Sequence, residues 1–333
     1  MRYTELGSTG MVVSEIGFGA WGIGGNAHGN SYGSTDDATS IAAIRRALEL
    51  GCNFVDTADV YGYGHSEEVI GRALQGMAEK PFVATKVGGN FYDGHTRLDF
   101  SPKYLAFAVD KSLERLGVER IDLYQLHNPD ADQIRAGEIV GTLEGLRAQG
   151  KIAHIGVSVF TPEEAMACLA DDRIEAIQVV YNLLRREMEQ QVFETAQLKG
   201  VGIIAREPLA NSFLAGKRTP QDRFEPGDIR HSMPAGYKAQ LAGAAERIRE
   251  ALQESSRPDR TLAQVALQFV IRHPALAVAI PGIKTPTQAE ENLAASDLGP
   301  LEPEFLRLLY GPGYHPADPA QKRYRDPANP AAG

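Results

Sequence analysis

Four side chains with acid–base chemistry lie at the ends of short apolar segments or directly after them. They are Asp56 at the end of NFVDT, Tyr61 in the following DTADVYGYGHSE, Lys86 at the end of FVATK and His127 at the end of DLYQLH. The reference pKa of tyrosine is about 10, so Tyr61 delivers a proton near neutral pH only if a nearby cation stabilises its phenolate. Lys86, held by Asp56, would supply that cation. The residue types therefore predict that Tyr61 is a proton donor and that Lys86, paired with Asp56, makes it acidic enough to act.

The fourth residue, His127, predicts a second contact to the reacting group. A neutral imidazole opposite the tyrosine would hydrogen-bond a substrate carbonyl oxygen and fix its angle. Each residue taken alone has a plainer interpretation, because a buried Asp–Lys pair is often structural and a histidine is often a satisfied core residue. Their joint occurrence at matched strand ends favours catalysis.

The segments that must position these residues alternate between two periodicities. Short apolar or β-branched runs bounded by turn residues predict eight strands, at residues 18–22, 53–57, 82–86, 122–127, 154–158, 176–182, 201–207 and 276–282. Segments of helical periodicity follow them, among them one predicted helix over 131–150. Eight such repeats predict an α/β fold, a closed parallel (β/α)8 TIM barrel, whose catalytic groups gather at the carboxyl ends of the strands. A doubly wound sheet is the alternative, but no GxGxxG follows a first strand.

Three segments depart from the repeat. YTEL, GSTG and VVSEI predict an N-terminal β-hairpin that plugs the bottom of the barrel. Residues 209–236 form a loop longer than a connection needs, and such loops usually bind or cover something. We expect a single barrel domain over residues 1–310 and a Pro-rich C-terminal tail over 311–333.

Composition narrows the class of protein. The chain has 333 residues, 43% of them apolar and 23% charged, which is typical of a folded globular protein. Its net charge of −9 has the wrong sign for phosphate backbones or anionic lipid, so neither nucleic acid nor a membrane is an expected partner. Cys52 and Cys168 are too few for a disulfide framework and lie in no metal-ligand cluster. With no signal-peptide pattern or long apolar run, the sequence predicts a cytoplasmic protein.

The motifs around the four residues resemble those of the aldo-keto reductase superfamily. The resemblance rests on NFVDTADVYGYGHSEEVIGRAL, followed in order by TK, DLYQLHNP, HIGVS, QVVYNLL and IPG with EEN. It covers nearly the whole chain, from the hairpin to AIPGIKTPTQAEENL. It implies a (β/α)8 barrel that binds a nicotinamide dinucleotide without a Rossmann fold, with Asp56, Tyr61, Lys86 and His127 as the catalytic tetrad.

The resemblance also implies a set of cofactor-binding residues. They are Ser158, Gln178, Arg206, Pro208, Leu209, Gly216, Lys217, Gly282, Lys284, Gln288, Glu291 and Asn292. Ser158 and Gln178 would hold the nicotinamide carboxamide, which needs one acceptor and one donor at fixed places. The loop after the seventh strand would cover the pyrophosphate, and the residues from Lys284 onward would bind the adenosine end. For Lys217 and its neighbour Arg218, a solvated loop pair is the alternative.

The sequence departs from many relatives at several of these positions. Val159 replaces an asparagine after the serine of the fifth strand. Arg206 replaces an aromatic residue that stacks on the nicotinamide, and its positive charge would favour the reduced cofactor. Gly282 and Gln288 stand where some relatives have Lys and Arg, which leaves Lys284 as the main cation for a 2′-phosphate. We therefore expect NADP(H), with NAD(H) as the alternative.

These residues predict reduction of an aldehyde or ketone to an alcohol, and the reverse, with Tyr61 as proton donor. Trp21, Tyr61 and His127 would contact a small-molecule carbonyl substrate. One alternative is a cofactor-sensing regulatory protein on the same barrel. The other is a metal-dependent hydrolase that uses Asp56 and His127, although no HxH cluster is present. The sequence leaves open whether the substrate is a sugar, an aliphatic aldehyde, a quinone or another ketone, and it leaves the oligomeric state open.

Overall fold

The predicted barrel is confirmed in a computed structural model, which describes residues 1–29, 31–216, 218–255, 259–311, 314 and 317–328. The strands are β1 Tyr3–Glu5, β2 Val12–Ser14, β3 Phe18–Gly19, β4 Phe54–Asp56, β5 Phe82–Val87, β6 Gly89–Asn90, β7 Arg97–Leu98, β8 Ile121–His127, β9 Ile152–Ser158, β10 Ala176–Val180, β11 Gly202–Arg206 and β12 Leu276–Ala279. Eight of them form one parallel sheet in the order β3-β4-β5-β8-β9-β10-β11-β12. Each of these eight overlaps a segment that the sequence predicts as strand, and β5, β8 and β9 extend one or two residues beyond the predicted bounds.

The first and last strands of this sheet meet and close it. Isolated parallel bridges join Ile16 to Ala279 and Gly19 to Gly282. The strand predicted over 18–22 ends early, at Gly19, and a 3-10 turn follows at Trp21–Gly24. The close approach of the chains requires a glycine at position 19, because a Cβ there would lie 2.7 Å from the carbonyl oxygens of Ile280 and Pro281.

Helices alternate with the strands and cover the outside of the sheet. They are α1 Asp37–Glu49, α2 His65–Leu74, α3 Pro102–Leu116, α4 Ala131–Ala136, α5 Glu138–Ala148, α6 Pro162–Leu169, α7 Val192–Lys199, α8 Ala235–Glu254, α9 Leu262–Ile271, α10 Pro286–Ala294 and α11 Pro303–Tyr310. The single helix predicted over 131–150 is wrong, since Gly137 adopts a left-handed φ of 74° and divides it into α4 and α5. The sequence also predicted neither α11 nor the β6–β7 hairpin. None of the described helices is long and apolar enough to span a bilayer.

The predicted N-terminal hairpin is confirmed as an antiparallel β1–β2 pair. Its loop and strand residues Leu6, Met11 and Val13 share one apolar cluster with inward residues of the barrel strands, including Phe54, Ala84, Leu123 and Ala176. Side chains on a strand alternate between faces, so the residues two positions further along point the same way. Those residues are Asp56, Lys86, Gln125 and Gln178. A polar layer therefore lies directly above an apolar floor.

The described part of the tail, 317–328, packs near the hairpin. Arg325 forms an antiparallel bridge with Tyr3. The Lys322 side chain is buried, and its Nζ donates a hydrogen bond to the Ile271 carbonyl oxygen at 2.5 Å. The same ammonium lies 3.6 Å from Oε2 of Glu15, a fully buried carboxylate. The tail therefore contacts the barrel through the buried side chain of Lys322.

Candidate active site

Lys86 links three of the predicted acid–base residues. Its side chain projects from β5 and is fully buried. The ammonium donates to Asp56 Oδ1 at 2.6 Å, to the Thr57 carbonyl oxygen at 2.7 Å and to the Tyr61 hydroxyl at 3.3 Å. Asp56 ends the neighbouring strand β4, and Tyr61 lies in the loop that follows it. Adjacent parallel strands thus bring the three groups together at the carboxyl end of the barrel.

The second oxygen of Asp56 is held by two glutamines. Gln178 Nε2 donates to Asp56 Oδ2 at 2.8 Å and Gln125 Nε2 donates to it at 3.0 Å. Gln178 also donates to Gln125 Oε1 at 3.1 Å. Gln125 was not predicted as a site residue, although its place two residues before His127 puts it on the same inward face of β8. The carboxylate that holds Lys86 is therefore fixed from three strands.

The electrostatics of this group keep Tyr61 protonated and Lys86 charged. Burial raises the pKa of the Tyr61 phenol, Lys86 lowers it and Asp56 raises it, and the pKa lies above its usual value. Lys86 acts in the predicted direction but does not outweigh burial. Burial lowers the pKa of Lys86 itself, but the combined effect of Asp56 and Tyr61 raises it by more, so the net shift is upward.

His127 and Trp21 both contact the Tyr61 ring, with different geometries. The His127 ring centroid lies 5.9 Å from that of Tyr61, with the planes at 82°. The Trp21 ring is stacked on Tyr61 with centroids 5.7 Å apart. Burial, together with the nearby cations Lys86 and Arg206, holds the pKa of His127 well below its usual range. The imidazole is therefore neutral, as the sequence analysis expected.

A cleft opens beside Tyr61. Many of the predicted site residues line it: Trp21, Asp56, Tyr61, Gln178, Arg206, Pro208, Leu209, Gly282, Lys284 and Gln288. Six others do not line it: Lys86, His127, Ser158, Gly216, Glu291 and Asn292. Lys217 lies outside the described residues. The cleft joins the acid–base group to the start of α10.

Ser158 lies next to the cleft, at the end of β9. It pairs in register with both His127 and Gln178. Its hydroxyl is buried and has no hydrogen-bond partner within the described part of the chain. A buried polar atom without a partner is costly. Ser158 beside the Gln178 amide fits a ligand carboxamide, which needs both a donor and an acceptor.

The far end of the cleft carries three cations. Arg218 Nε and Arg230 Nη1 donate to the Ser212 hydroxyl at 3.1 and 2.5 Å. Lys284 is the third, and its pKa is lowered by burial and by the neighbouring Arg230. Asp228 pairs with Arg230 at 2.6 Å. Arg230 was not predicted as a site residue, and the only signal for it in the sequence was the unusual length of the loop that carries it.

Two loops meet over this end of the cleft. Ser31 and Asp228 form a parallel bridge between them. The Tyr32 hydroxyl donates to Asn211 Oδ1 at 2.6 Å. Lys284 Nζ donates to the Tyr32 and Ser34 carbonyl oxygens at 3.3 and 2.5 Å. The long loop therefore lines this end of the cleft and contacts the loop opposite it.

Among the described residues, no group of three or more His, Cys, Asp or Glu side chains is placed to hold a metal ion. The cleft beside the acid–base group is lined at its far end by Arg218, Arg230 and Lys284, and such cations fit the phosphates of a nucleotide cofactor. The Aldo/keto reductase family model matches residues 15–310. The chain therefore belongs to the aldo-keto reductase family.

Curated relatives agree with this assignment. The chain is 32% identical to "Aldo-keto reductase YhdN" of Bacillus subtilis (strain 168), over 87% of each protein. It is 31% identical to "Aldo-keto reductase yakc [NADP(+)]" of Schizosaccharomyces pombe, over 85% of this chain and 84% of that protein.

Solved structures agree as well. The holo form of aldo-keto reductase AKR11C1 from Bacillus halodurans matches with a TM-score of 0.78 and 30% identity, over 93% of this chain and 95% of that one. Glycerol dehydrogenase AKR11B4 from Gluconobacter oxydans matches with a TM-score of 0.77 and 28% identity, over 93% and 94%. The protein is thus a nicotinamide-dependent oxidoreductase that acts on small-molecule carbonyl compounds.

Proposed function

We propose that Tyr61 gives its proton to the oxygen of the carbonyl substrate. The observation that carries this proposal is the buried Lys86 ammonium, which contacts both the Tyr61 hydroxyl and Asp56. As the phenol loses its proton, the positive charge of the Lys86 ammonium, at hydrogen-bond distance, stabilises the developing phenolate. The nicotinamide cofactor, when bound, supplies the hydride to the carbonyl carbon. The product is the alcohol.

His127 is the second group proposed to contact the substrate. Its imidazole is neutral, so it keeps one N–H to donate and carries no charge that would repel a polarised carbonyl carbon. The N–H donor of His127 and the hydroxyl of Tyr61 together fix the position of the carbonyl oxygen. The Trp21 ring, stacked on Tyr61, forms an apolar wall beside them.

The experiment that tests this function is NADPH and NADH oxidation by the purified protein with a panel of carbonyl compounds. The panel contains an aromatic aldehyde, an aliphatic aldehyde, an aldose and a quinone. Turnover of at least one, lost in Tyr61→Phe, supports the proposal. Tight cofactor binding with no turnover of any would instead favour the cofactor-sensing alternative.

NADP(H) is the proposed cofactor because of the charge at the far end of the cleft. Lys284, Arg218 and Arg230 all line the cleft there. A 2′-phosphate brings about two negative charges, whereas the 2′-hydroxyl of NAD(H) brings none. Asp228 offsets part of the Arg230 charge. The name of the Schizosaccharomyces pombe relative, which includes NADP(+), agrees with this preference.

Arg206 is proposed to lie against the nicotinamide. It lines the cleft near Gln178, and its guanidinium stacks at 4.1 Å on the Phe160 ring. Its Nε is buried without a hydrogen-bond partner among the described residues. A cation in that position disfavours an oxidised, positively charged nicotinamide ring relative to the reduced one. Arg206 would therefore favour binding of the reduced cofactor.

The proposed compartment is the cytoplasm. Cys52 and Cys168 are both free and buried. Unpaired buried thiols fit a reducing environment. Fractionation of cells that carry an epitope-tagged copy tests the location, and recovery of the protein in the membrane or secreted fraction would contradict it.

A further inference from the structure

The loop that carries Tyr61 has an unusual backbone. Three consecutive residues, Gly62, Tyr63 and Gly64, have positive φ values of 62°, 56° and 95°. The left-handed region is open to glycine but costly for a residue such as Tyr63. Contacts from outside the loop must therefore hold it in place.

Arg115, near the end of α3, contacts this segment from outside the barrel. A Cβ on Gly64 would lie 2.6 Å from Arg115 Cδ and 2.7 Å from its Nε. The arginine stem thus lies directly against the Gly64 main chain. The Arg115 side chain is only 12% exposed, so the guanidinium is mostly removed from water.

The partner of Arg115 is a fully buried carboxylate. Arg115 Nε donates to Glu67 Oε2 at 2.7 Å. The other oxygen of Glu67 accepts from Thr85 Oγ1 at 2.6 Å. Thr85 directly precedes Lys86 in β5, and the two side chains point to opposite faces of the sheet. The ion pair therefore joins α3 and α2 to the strand position next to the tuning lysine.

A second contact path from Arg115 returns to the same loop. Arg115 Nη1 donates to the Tyr92 hydroxyl at 2.9 Å. The Tyr92 ring stacks on Phe91 with centroids 4.5 Å apart, and Phe91 stacks on Tyr63 at 4.8 Å. Arg115 thus contacts the left-handed segment directly at Gly64 and through stacked rings at Tyr63.

We propose that Arg115 is a positioning residue that holds the loop with Tyr61 at the correct distance from Lys86. The inference rests on the proposed role of Tyr61. Without the guanidinium, the Glu67 carboxylate stays buried with no cation, and Gly64 loses the side chain packed against it. The loop can then adopt other backbone conformations, so the Tyr61 hydroxyl no longer stays within hydrogen-bond distance of the Lys86 ammonium. A displacement of about 1 Å is enough to cost about 100-fold in rate.

The test compares Arg115→Met, Arg115→Lys and Tyr92→Phe with wild type, and uses Lys111→Ala as a control. Lys111 lies on the same helix in an exposed ion pair with Glu114. Rates are measured with the panel compound that wild type turns over fastest. We expect kcat to fall about 10- to 100-fold in Arg115→Met. Arg115→Lys restores part of it, Tyr92→Phe loses less, and Lys111→Ala is unchanged.

Two readouts separate positioning from simple stability. The NADPH Kd, measured by fluorescence, stays within about two-fold of wild type, so the loss is in kcat. Amide hydrogen exchange speeds up in the peptide that covers residues 57–66, where the Ser66 amide donates to the Tyr61 carbonyl oxygen at 3.1 Å. If Arg115→Met does not fold, kcat, the NADPH Kd and hydrogen exchange are compared with wild type in Arg115→Lys and Tyr92→Phe.

Unchanged kcat and unchanged exchange in the folded Arg115 variants would overturn the inference. If Tyr61→Phe is inactive while those variants are normal, only the positioning role fails. If Tyr61→Phe is as active as wild type, the proposed function fails, and hydrogen exchange alone still decides whether Arg115 orders the loop.

Discussion

The Lys86 ammonium lies 3.3 Å from the Tyr61 hydroxyl, with the lysine fully buried and held by Asp56 at 2.6 Å. A buried cation this close to a phenol stabilises its deprotonated form, whereas burial alone opposes ionisation. Tyr61 is therefore protonated before the reaction, and the Lys86 ammonium is already in place to stabilise the phenolate that forms.

Replacing Tyr61 by phenylalanine removes the proton donor and keeps the ring. We expect kcat to fall about 100-fold or more, the usual range for loss of a general acid. The NADPH Kd and the melting temperature change little, because the ring still packs against Trp21. Tyr237→Phe, on an exposed tyrosine, is the matched control. Steady-state kinetics with wild-type rates in Tyr61→Phe would refute the role.

Replacing Lys86 by methionine should lower both activity and stability. Asp56 would remain buried and lose its cation, a change that typically costs about 3–5 kcal/mol. In the double variant Lys86→Met/Asp56→Asn, stability should recover while activity stays low. Denaturant unfolding and initial rates check the two halves separately. A normal pH–rate profile in the folded Lys86→Met protein would mean that Lys86 does not tune Tyr61.

The pH dependence of the reaction follows from the pKa of Tyr61. Reduction requires the protonated phenol, and the pKa lies above its usual value of about 10. The reductive kcat/KM is therefore flat through neutral pH and falls only above about pH 10. Oxidation requires the phenolate and rises with pH. Because His127 is already neutral, we expect no change in kcat/KM near pH 6.5. A change of kcat/KM in that range that disappears in His127→Gln would contradict this assignment.

Lys284→Ala tests the proposed cofactor preference. A charge-assisted contact contributes about 1.5–3 kcal/mol, or roughly 10- to 150-fold in affinity. We expect the NADPH Kd to rise within that range and the NADH Kd to change by less than about two-fold. Arg218→Ala should act in the same direction, and the exposed Arg223→Ala should not. Equal losses for the two cofactors would show that Lys284 does not contact the phosphate.

We expect Lys322 to make the stability of the folded protein depend on pH. Burial lowers the pKa of Lys322 to about 8, and the unfolded chain has a value of about 10.5. Between these values the unfolded state binds more protons, so stability rises with pH over that window. Lys322→Met should remove this rise and leave kcat unchanged. Thermal melts from pH 7 to 10 check it, and an unchanged slope would place the effect elsewhere.

The sequence by itself determined the eight strands, the hairpin and the four acid–base residues. These features depend on local information, because alternation with a period of two and turn residues mark a strand and its inward face wherever it lies in the fold. Asp56, Lys86 and His127 stand at strand ends. The barrel must bring such ends to one face.

Only the tertiary structure decided which side chains meet. Asp56, Gln125 and Gln178 are far apart in the chain, and their contact depends on the register of the five neighbouring strands from β4 to β10. The same holds for Arg230 and Arg218 at Ser212, a left-handed residue with a φ of 71°. No local pattern predicts that backbone, since its cost is offset by hydrogen bonds from Arg218 and Arg230 that exist only in the folded loop.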